Sequence, residues 1–387
     1  MAPLGLDKAS TVLMVLAFGL APMDKLGVAV LGISDVFFFI AIGLAFPRLL
    51  RSRLPLPPSF VLAAIAFVTI VLLSCVSAGN GSVYYYAARV IFTLVILPIM
   101  VVWWAPNRVI LVRMLVAFAA GTGFSVLYGL PKIGAYRNYG LTQHPNVLGY
   151  TAMLTMALVP FLFLSLTPKW RWWICGGALG GAGVGILTSG SRAALVVALF
   201  LIVLVPAVER SVPLALTVIT AGAVVVAYVG ERAQPAAGQG QDALTRLLGG
   251  GDVSGSDQAR KEGLSQTWHL ALTHPWLGTG FELTEFLGHN VYVQIAASIG
   301  FIGLAIFAWL LISMVTPLLV ISNVNSRLVY PALVFIVAGP VSPQLTDRYI
   351  GILMGVALIG VNSVRAQRQA EAAYELAEPA RLLRLNR

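Results

Sequence analysis

Two short clusters hold the residue types best suited to chemistry. The first is Ser189-Gly190-Ser191-Arg192, a glycine between two serines followed by an arginine and an apolar run. A helix starting there leaves backbone N–H groups free, and a guanidinium adds a planar fork of donors, so the pattern suits an oxyanion such as phosphate. The bland alternative is an interfacial arginine reaching lipid headgroups beside a small-residue helix contact. The second cluster is His289-Asn290-Val291-Tyr292, where the chain turns apolar again after a long polar stretch. A near-neutral pKa would let His289 take a proton from a hydroxyl, and Asn290 could hold the ring or a substrate. A histidine in front of a helix is otherwise an ordinary interfacial hydrogen-bonding residue.

The elements that must position these residues are membrane helices. The 387-residue chain is 58% hydrophobic and 10% charged, whereas a soluble fold needs about a quarter of its residues charged. The apolar runs are continuous and do not alternate at period two, which excludes a transmembrane β-barrel. Apolar length, Gly/Pro breaks and charge clusters predict about twelve helices, near 9–23, 26–46, 60–78, 83–104, 108–130, 145–166, 172–188, 191–207, 212–229, 290–320, 328–340 and 346–363. The fold class is therefore an all-α polytopic membrane protein with one long extracytoplasmic loop. Its divisions are 1–229 (nine helices), 230–289 (the loop with an amphipathic helix), 290–364 (three helices) and a cytoplasmic tail, 365–387. Cys75 and Cys175 sit in apolar segments and read as small core hydrophobes.

Charge sets the orientation. With the N-terminus inside, Lys8, Arg48, Arg51, Arg53, Arg108, Arg113, Lys169, Arg171, Arg210, Arg327 and the tail arginines fall on one face, the expected cytoplasmic bias. Lys132, Arg137, Arg192, Arg232, Arg246, Arg260, Lys261 and Arg348 fall on the other and need local reasons. A long translocated loop accounts for Arg232 and Arg246. It does not account for Arg192, which has no carboxylate within ten residues. In the loop, Asp257 or Ser256 can cap a helix ending before Pro275, with Arg260, Leu264, Trp268 and Ala271 on one face. That helix suits the outer leaflet, with Arg260 pointed at the membrane domain. Asp35 and Arg89 lie inside apolar helices and need partners there. Arg89, following Tyr84-Tyr85-Tyr86, could add a cation or a sugar-binding wall, and Asp347 with Arg348 could line the same cavity.

Taken in order, Ser-Gly-Ser-Arg192, Arg260 with Trp268, His274-Pro-Trp-Leu-Gly-Thr-Gly280 and His289-Asn-Val-Tyr292 resemble the O-antigen ligase and polymerase family over roughly residues 140–310. The stretch Gln143-His144-Pro145-Asn146-Val-Leu-Gly149 looks like the family's Asn-Pro-Asn-x-x-Gly, with His144 in place of the first Asn. Alone, that stretch reads as a helix start with Pro145 at the first helical position. The resemblance implies a GT-C-like membrane glycosyltransferase that moves a glycan from undecaprenyl-pyrophosphate to a lipid-core or glycan acceptor outside the inner membrane. Within residues 140–310, Arg260, His289, Asn290 and Tyr292 match the family's pattern; the expected catalytic set is His289, Arg192 and Arg260, with Ser191, Asn290 and Tyr292 binding substrate, and Arg89 and Arg348, which lie outside that range, are added as binding residues from their place at helix ends. Breaking a bond to pyrophosphate calls for cations on the phosphates and a base for the acceptor hydroxyl. No cofactor is expected: there is no Walker A stretch, no zinc spacing and no Asp-x-Asp pair. Nucleic acid is not an expected partner; membrane lipid is.

Two alternatives remain open at this level. A repeat-unit polymerase of the same family would use the same donor and differ in acceptor; the single large loop favours the ligase slightly. A flippase for lipid-linked sugars should show paired charges through the membrane and related halves, whereas the candidate cations here sit at one mouth and no repeat is visible.

Overall fold

The computed structural model describes residues 5–28, 31–52, 54–132, 137–210, 243, 246, 254–281, 289–319, 323–342 and 345–385. Among them the chain is helical apart from a two-residue antiparallel ladder, β1 (Gly27–Val28) with β2 (Leu31–Gly32). The helices are α1 (Gly5–Leu20), α2 (Ile33–Leu49), α3 (Pro58–Ala78), α4 (Ser82–Ile91), α5 (Leu97–Trp104), α6 (Arg108–Gly129), α7 (Pro145–Ser165), α8 (Pro168–Thr188), α9 (Arg192–Val208), α10 (Ser254–Thr273), α11 (Val291–Val315), α12 (Tyr330–Ala338) and α13 (Arg348–Leu385). Seven continuous stretches among the described residues are long and apolar enough to cross a membrane: Pro58–Ala78, Ser82–Trp104, Arg108–Gly129, Pro145–Ser165, Val291–Leu318, Val324–Val341 and Arg348–Tyr374. Of the dozen expected, seven meet that length and hydropathy among the described residues, and α1, α2, α8 and α9 are also helices at expected positions without meeting it. The expected helix over 212–229 lies outside the described residues.

Several boundaries differ from the apolar pattern for local reasons. The second helix begins at Ile33 and not near residue 26, because the β1–β2 ladder occupies the stretch between. The fourth predicted helix is one stretch from Ser82 to Trp104 with a π-helical segment, Phe92–Ile96, between α4 and α5. Helix α13 packs against that segment through Gly351, where a side chain would meet the Thr93 carbonyl at 2.2 Å. The tail continues α13 without a break to Leu385.

Helix ends alternate between two poles. One pole gathers Arg48, which donates to the Trp104 carbonyl at 3.1 Å, Arg108 beside Ser165, and Arg327 paired with Glu209. The opposite pole gathers the start of α7, the end of α8 and the starts of α9 and α11, so the two clusters met first in the sequence share one end of the bundle.

Helix α11 is broken near that end. Ile299 and Gly300 leave helical geometry, Gly300 with φ +74°. The break frees backbone groups inside an apolar environment, where each must find a partner. The turn His274–Gly280 supplies them: Phe301 N–H donates to the Pro275 carbonyl at 2.8 Å, while Thr279 and Gly280 N–H groups donate to Ala297 and Ser298 carbonyls at 2.9 Å each. Gly300 has to be glycine, since a side chain there would meet the Trp276 carbonyl at 2.1 Å. The His-Pro…Gly-x-Gly stretch thereby staples the loop helix α10 to the bundle.

Candidate functional site

Glycine brings the two upstream motifs into contact. A Cβ on Gly149 would stand 2.9 Å from both Ala194 Cβ and Ser189 Oγ, so α7 packs directly on the Ser189–Arg192 turn. His144 caps α7, accepting at Nδ1 from Asn146 N–H at 3.1 Å, with Pro145 in the first helical position. Ser191 caps α9, its Oγ accepting from Ala194 N–H at 3.3 Å, and Gly190 turns the chain at φ +63°.

Around this contact lies a cleft of about 510 Å³, open to solvent, lined by Asn146, Tyr150, Ser191, Arg192, Arg246, Arg260 and His289 among others. Arg192 with its neighbour Ser191, Arg260 and His289, from three separated stretches of chain, therefore share one wall system. Arg246 lines the cleft as well, and Arg137 binds residues of its wall. Arg137 donates through Nε to the Ser189 carbonyl at 2.8 Å and through Nη2 to Asn146 Oδ1 at 2.8 Å. Arg246 donates to the Gly190 carbonyl at 2.6 Å, so it belongs to the cleft wall and is not a passive charge of a translocated loop.

The charge balance of this cluster is lopsided. Asp257, in the first turn of α10, hydrogen-bonds Arg192 and lies 3.8 Å from Arg260. It does not serve as the cap expected of it; it is the distant carboxylate that Arg192 lacked in its own stretch of chain. Against four guanidiniums it is the one ion-paired carboxylate there among the described residues. Burial, with the cations Arg246, Arg260 and Arg192 adding to it, pushes Arg137 down to about 10. Burial and the neighbouring Arg192 and Arg260 likewise lower Arg246. The Arg192 hydrogen bond holds Asp257 below the usual carboxylate range. A cationic excess of this kind is stabilised by a bound polyanion.

His289 sits half-buried with φ +42° in front of α11. Burial first, then the Arg260 charge, lowers its pKa, so the imidazole is neutral at pH 7 and can accept a proton. His144 is lowered by burial, then by Arg137, Arg260 and His289, which places it at the same cluster's edge.

The other expected binding residues lie elsewhere or are occupied. Asn290 Oδ1 caps α11, accepting from Tyr292 and Val293 N–H groups at 3.0 and 3.1 Å. Tyr292 donates to the Ile336 carbonyl at 2.5 Å, with its ring against Gly339. Arg89 donates to Thr346 Oγ1 at 3.0 Å and faces the rings of Tyr85 and Tyr86. Arg348 pairs with Asp35 at 2.8 Å, so the buried carboxylate of α2 is answered from the start of α13. None of these four lines the cleft. On α10 the buried face is Gly263, Thr267 and Ala271, packed on Ala296 and Ala297 of α11; Leu264, Trp268 and Leu272 are exposed beside it. Ala271 and Trp268 therefore do not share the expected face. Arg137, Arg246, Asn146, Tyr150 and Asp257 were not singled out for the site by sequence. Both arginines did carry a signal, since they break the positive-inside pattern.

Residues 177–308 match the family model described as O-antigen ligase. That match supports the resemblance to the O-antigen ligase and polymerase family and spans Arg192, Arg246, Arg260 and His289. No curated protein matches the chain.

Proposed function

We propose that the protein is an O-antigen ligase-type membrane glycosyltransferase that transfers a glycan from undecaprenyl-pyrophosphate to a lipid-core or similar acceptor, with the cleft on the extracytoplasmic side of the bacterial inner membrane. The observation that carries this is the convergence of Arg192, Arg246 and Arg260 with a neutral-biased His289 on one cleft, with Arg137 bonded to the turn and to the Asn146 side chain at its wall. The pole rich in Arg48, Arg108, Lys169 and Arg327 is then cytoplasmic, in keeping with the positive-inside tendency, and α10 lies outside.

The arginines hold the two phosphates and stabilise the charge that grows on the leaving oxygen, a role in which a guanidinium fork exceeds a point charge. His289 removes the proton of the acceptor hydroxyl. That oxygen attacks the anomeric carbon from the face opposite the phosphate, the carbon–oxygen bond to pyrophosphate breaks, and the configuration inverts. The carrier leaves as pyrophosphate, an anion needing no proton at neutral pH, so one base suffices. The histidine proton passes to water afterwards. The exposed stripe Leu264, Trp268 and Leu272 fits α10 lying at the lipid surface, where the donor's polyprenyl chain is embedded.

Purified protein in lipid vesicles, given carrier-linked glycan and a lipid-core acceptor, should form the conjugate and release carrier pyrophosphate. A deletion strain should accumulate long unattached chains. Accumulation of single repeat units would instead assign polymerisation, and the absence of either defect would sink the proposal.

A further inference from the structure

The cleft changes character below its cations. Tyr150 follows Asn146 by one turn of α7 and lines the same cleft, yet its side chain is only 3% exposed. Its hydroxyl has no hydrogen-bond partner among the described residues. Buried polar groups are normally paired, because an orphaned donor loses its water without compensation; a phenol in a cleft wall that breaks this rule is waiting for a partner from outside. Its neighbours do not share the vacancy. Tyr349, whose ring centre is 6.0 Å away, donates to Asp347 Oδ2 at 2.6 Å, and the Tyr292 hydroxyl is held by the Ile336 carbonyl.

At this deeper end the charge acting on Tyr150 is a carboxylate, Asp347, itself within reach of Arg89 and Arg348. Asp347 lies within electrostatic reach of Tyr150, as does Tyr292. A diphosphate is drawn to the arginines and repelled from Asp347. A neutral hydroxyl is admitted at both ends, and beside Tyr150 it meets a group that can both donate and accept.

We infer that the Tyr150 hydroxyl is a specificity contact for a sugar hydroxyl, reading the glycan while the arginines hold the diphosphate. This rests on the glycan-transfer proposal for the cleft. Tyr150 is thereby a group that reads sugar and not diphosphate.

Tyr150→Phe deletes only the hydroxyl, and the probe that separates sugar from phosphate is sugar-free undecaprenyl pyrophosphate. In lipid vesicles the variant should lose about three- to tenfold in kcat/KM, the size of one neutral hydrogen bond. Competition by the sugar-free carrier should be unchanged, and the Tm of the ligand-free protein should hold or rise. The substrate whose KM rises identifies the source of the hydroxyl, donor glycan or acceptor glycan. Unchanged kcat/KM overturns the inference, as does weaker competition by the bare carrier, which would make Tyr150 a phosphate ligand. A lowered Tm with unchanged substrate KM values also overturns it, by giving the hydroxyl a structural partner. Should the wild-type protein show no competition by the bare carrier at all, the glycan-transfer proposal itself fails, whatever Tyr150→Phe does.

Discussion

Under the proposed function, Asp257 competes with the diphosphate for Arg192 and Arg260. Its carboxylate bonds Arg192 and stands 3.8 Å from Arg260, with about a third of the side chain exposed (33%). A unit charge pair at 3.8 Å is worth about 1 kcal/mol in a water-like dielectric and more in a protein-like one. Exposed pairs measure at about 0.2–1 kcal/mol, so the two contacts together are worth about 0.4–2 kcal/mol. A diphosphate has to displace that interaction before it engages both guanidiniums. Asp257→Asn should therefore tighten binding of sugar-free carrier pyrophosphate by roughly two- to thirtyfold. The same change leaves four arginines without their carboxylate, so the ligand-free Tm should fall, and saturating carrier pyrophosphate should restore it. Titration of carrier pyrophosphate into protein in lipid nanodiscs, alongside thermal denaturation at low and high salt, measures both effects; each should shrink as salt rises. If Asp257→Asn weakens binding, the carboxylate aims Arg192 at the ligand and does not compete with it, and the displacement argument is wrong.

Arg192→Ala and Arg260→Ala should each lower turnover by about two to three orders of magnitude, as loss of a transition-state charge donor does in other enzymes, with Lys restoring only part; near wild-type turnover in folded variants would return both to headgroup contacts. His289→Ala should abolish transfer while carrier pyrophosphate still binds. Because burial and Arg260 lower the His289 pKa, the neutral base persists as pH falls past 6.5, and kcat/KM should drop only below that value. Stability linked to His289 has the matching sign: it is complete above about 6.5 and declines below it as the unfolded chain takes up the proton first. A rate that rises on acidification, with partial rescue by His289→Lys, would make the histidine a cation instead. Gly149→Leu should lower Tm and donor binding together, since even a Cβ meets Ala194 and Ser189 at 2.9 Å; unchanged values in both assays would contradict that contact.

The membrane class was legible from composition because apolar length is a local property: twenty consecutive apolar residues leave a helix as the only way to satisfy the backbone in lipid. Helix starts were legible for the same reason, as at Pro145 and Arg192, where capping residues act within one turn. The His289 and Arg192 clusters were visible because their chemistry is concentrated in four-residue stretches. What the sequence left open was everything that depends on which ends meet. Arg137 and Arg246 read as anomalies of charge topology, and only the packing of α7 on the Ser189–Arg192 turn through Gly149 shows them hydrogen-bonded to that turn's carbonyls. Asn290 and Tyr292 looked like ligands because they flank His289, but capping and helix–helix contacts hold their polar atoms. Asp257 lies 65 residues from Arg192, too far for spacing to suggest a pair. Local periodicity determines the helices; the electrostatic sum over four arginines, one carboxylate and one histidine exists only once tertiary packing has brought them within a few ångströms, where Coulomb forces outweigh screening.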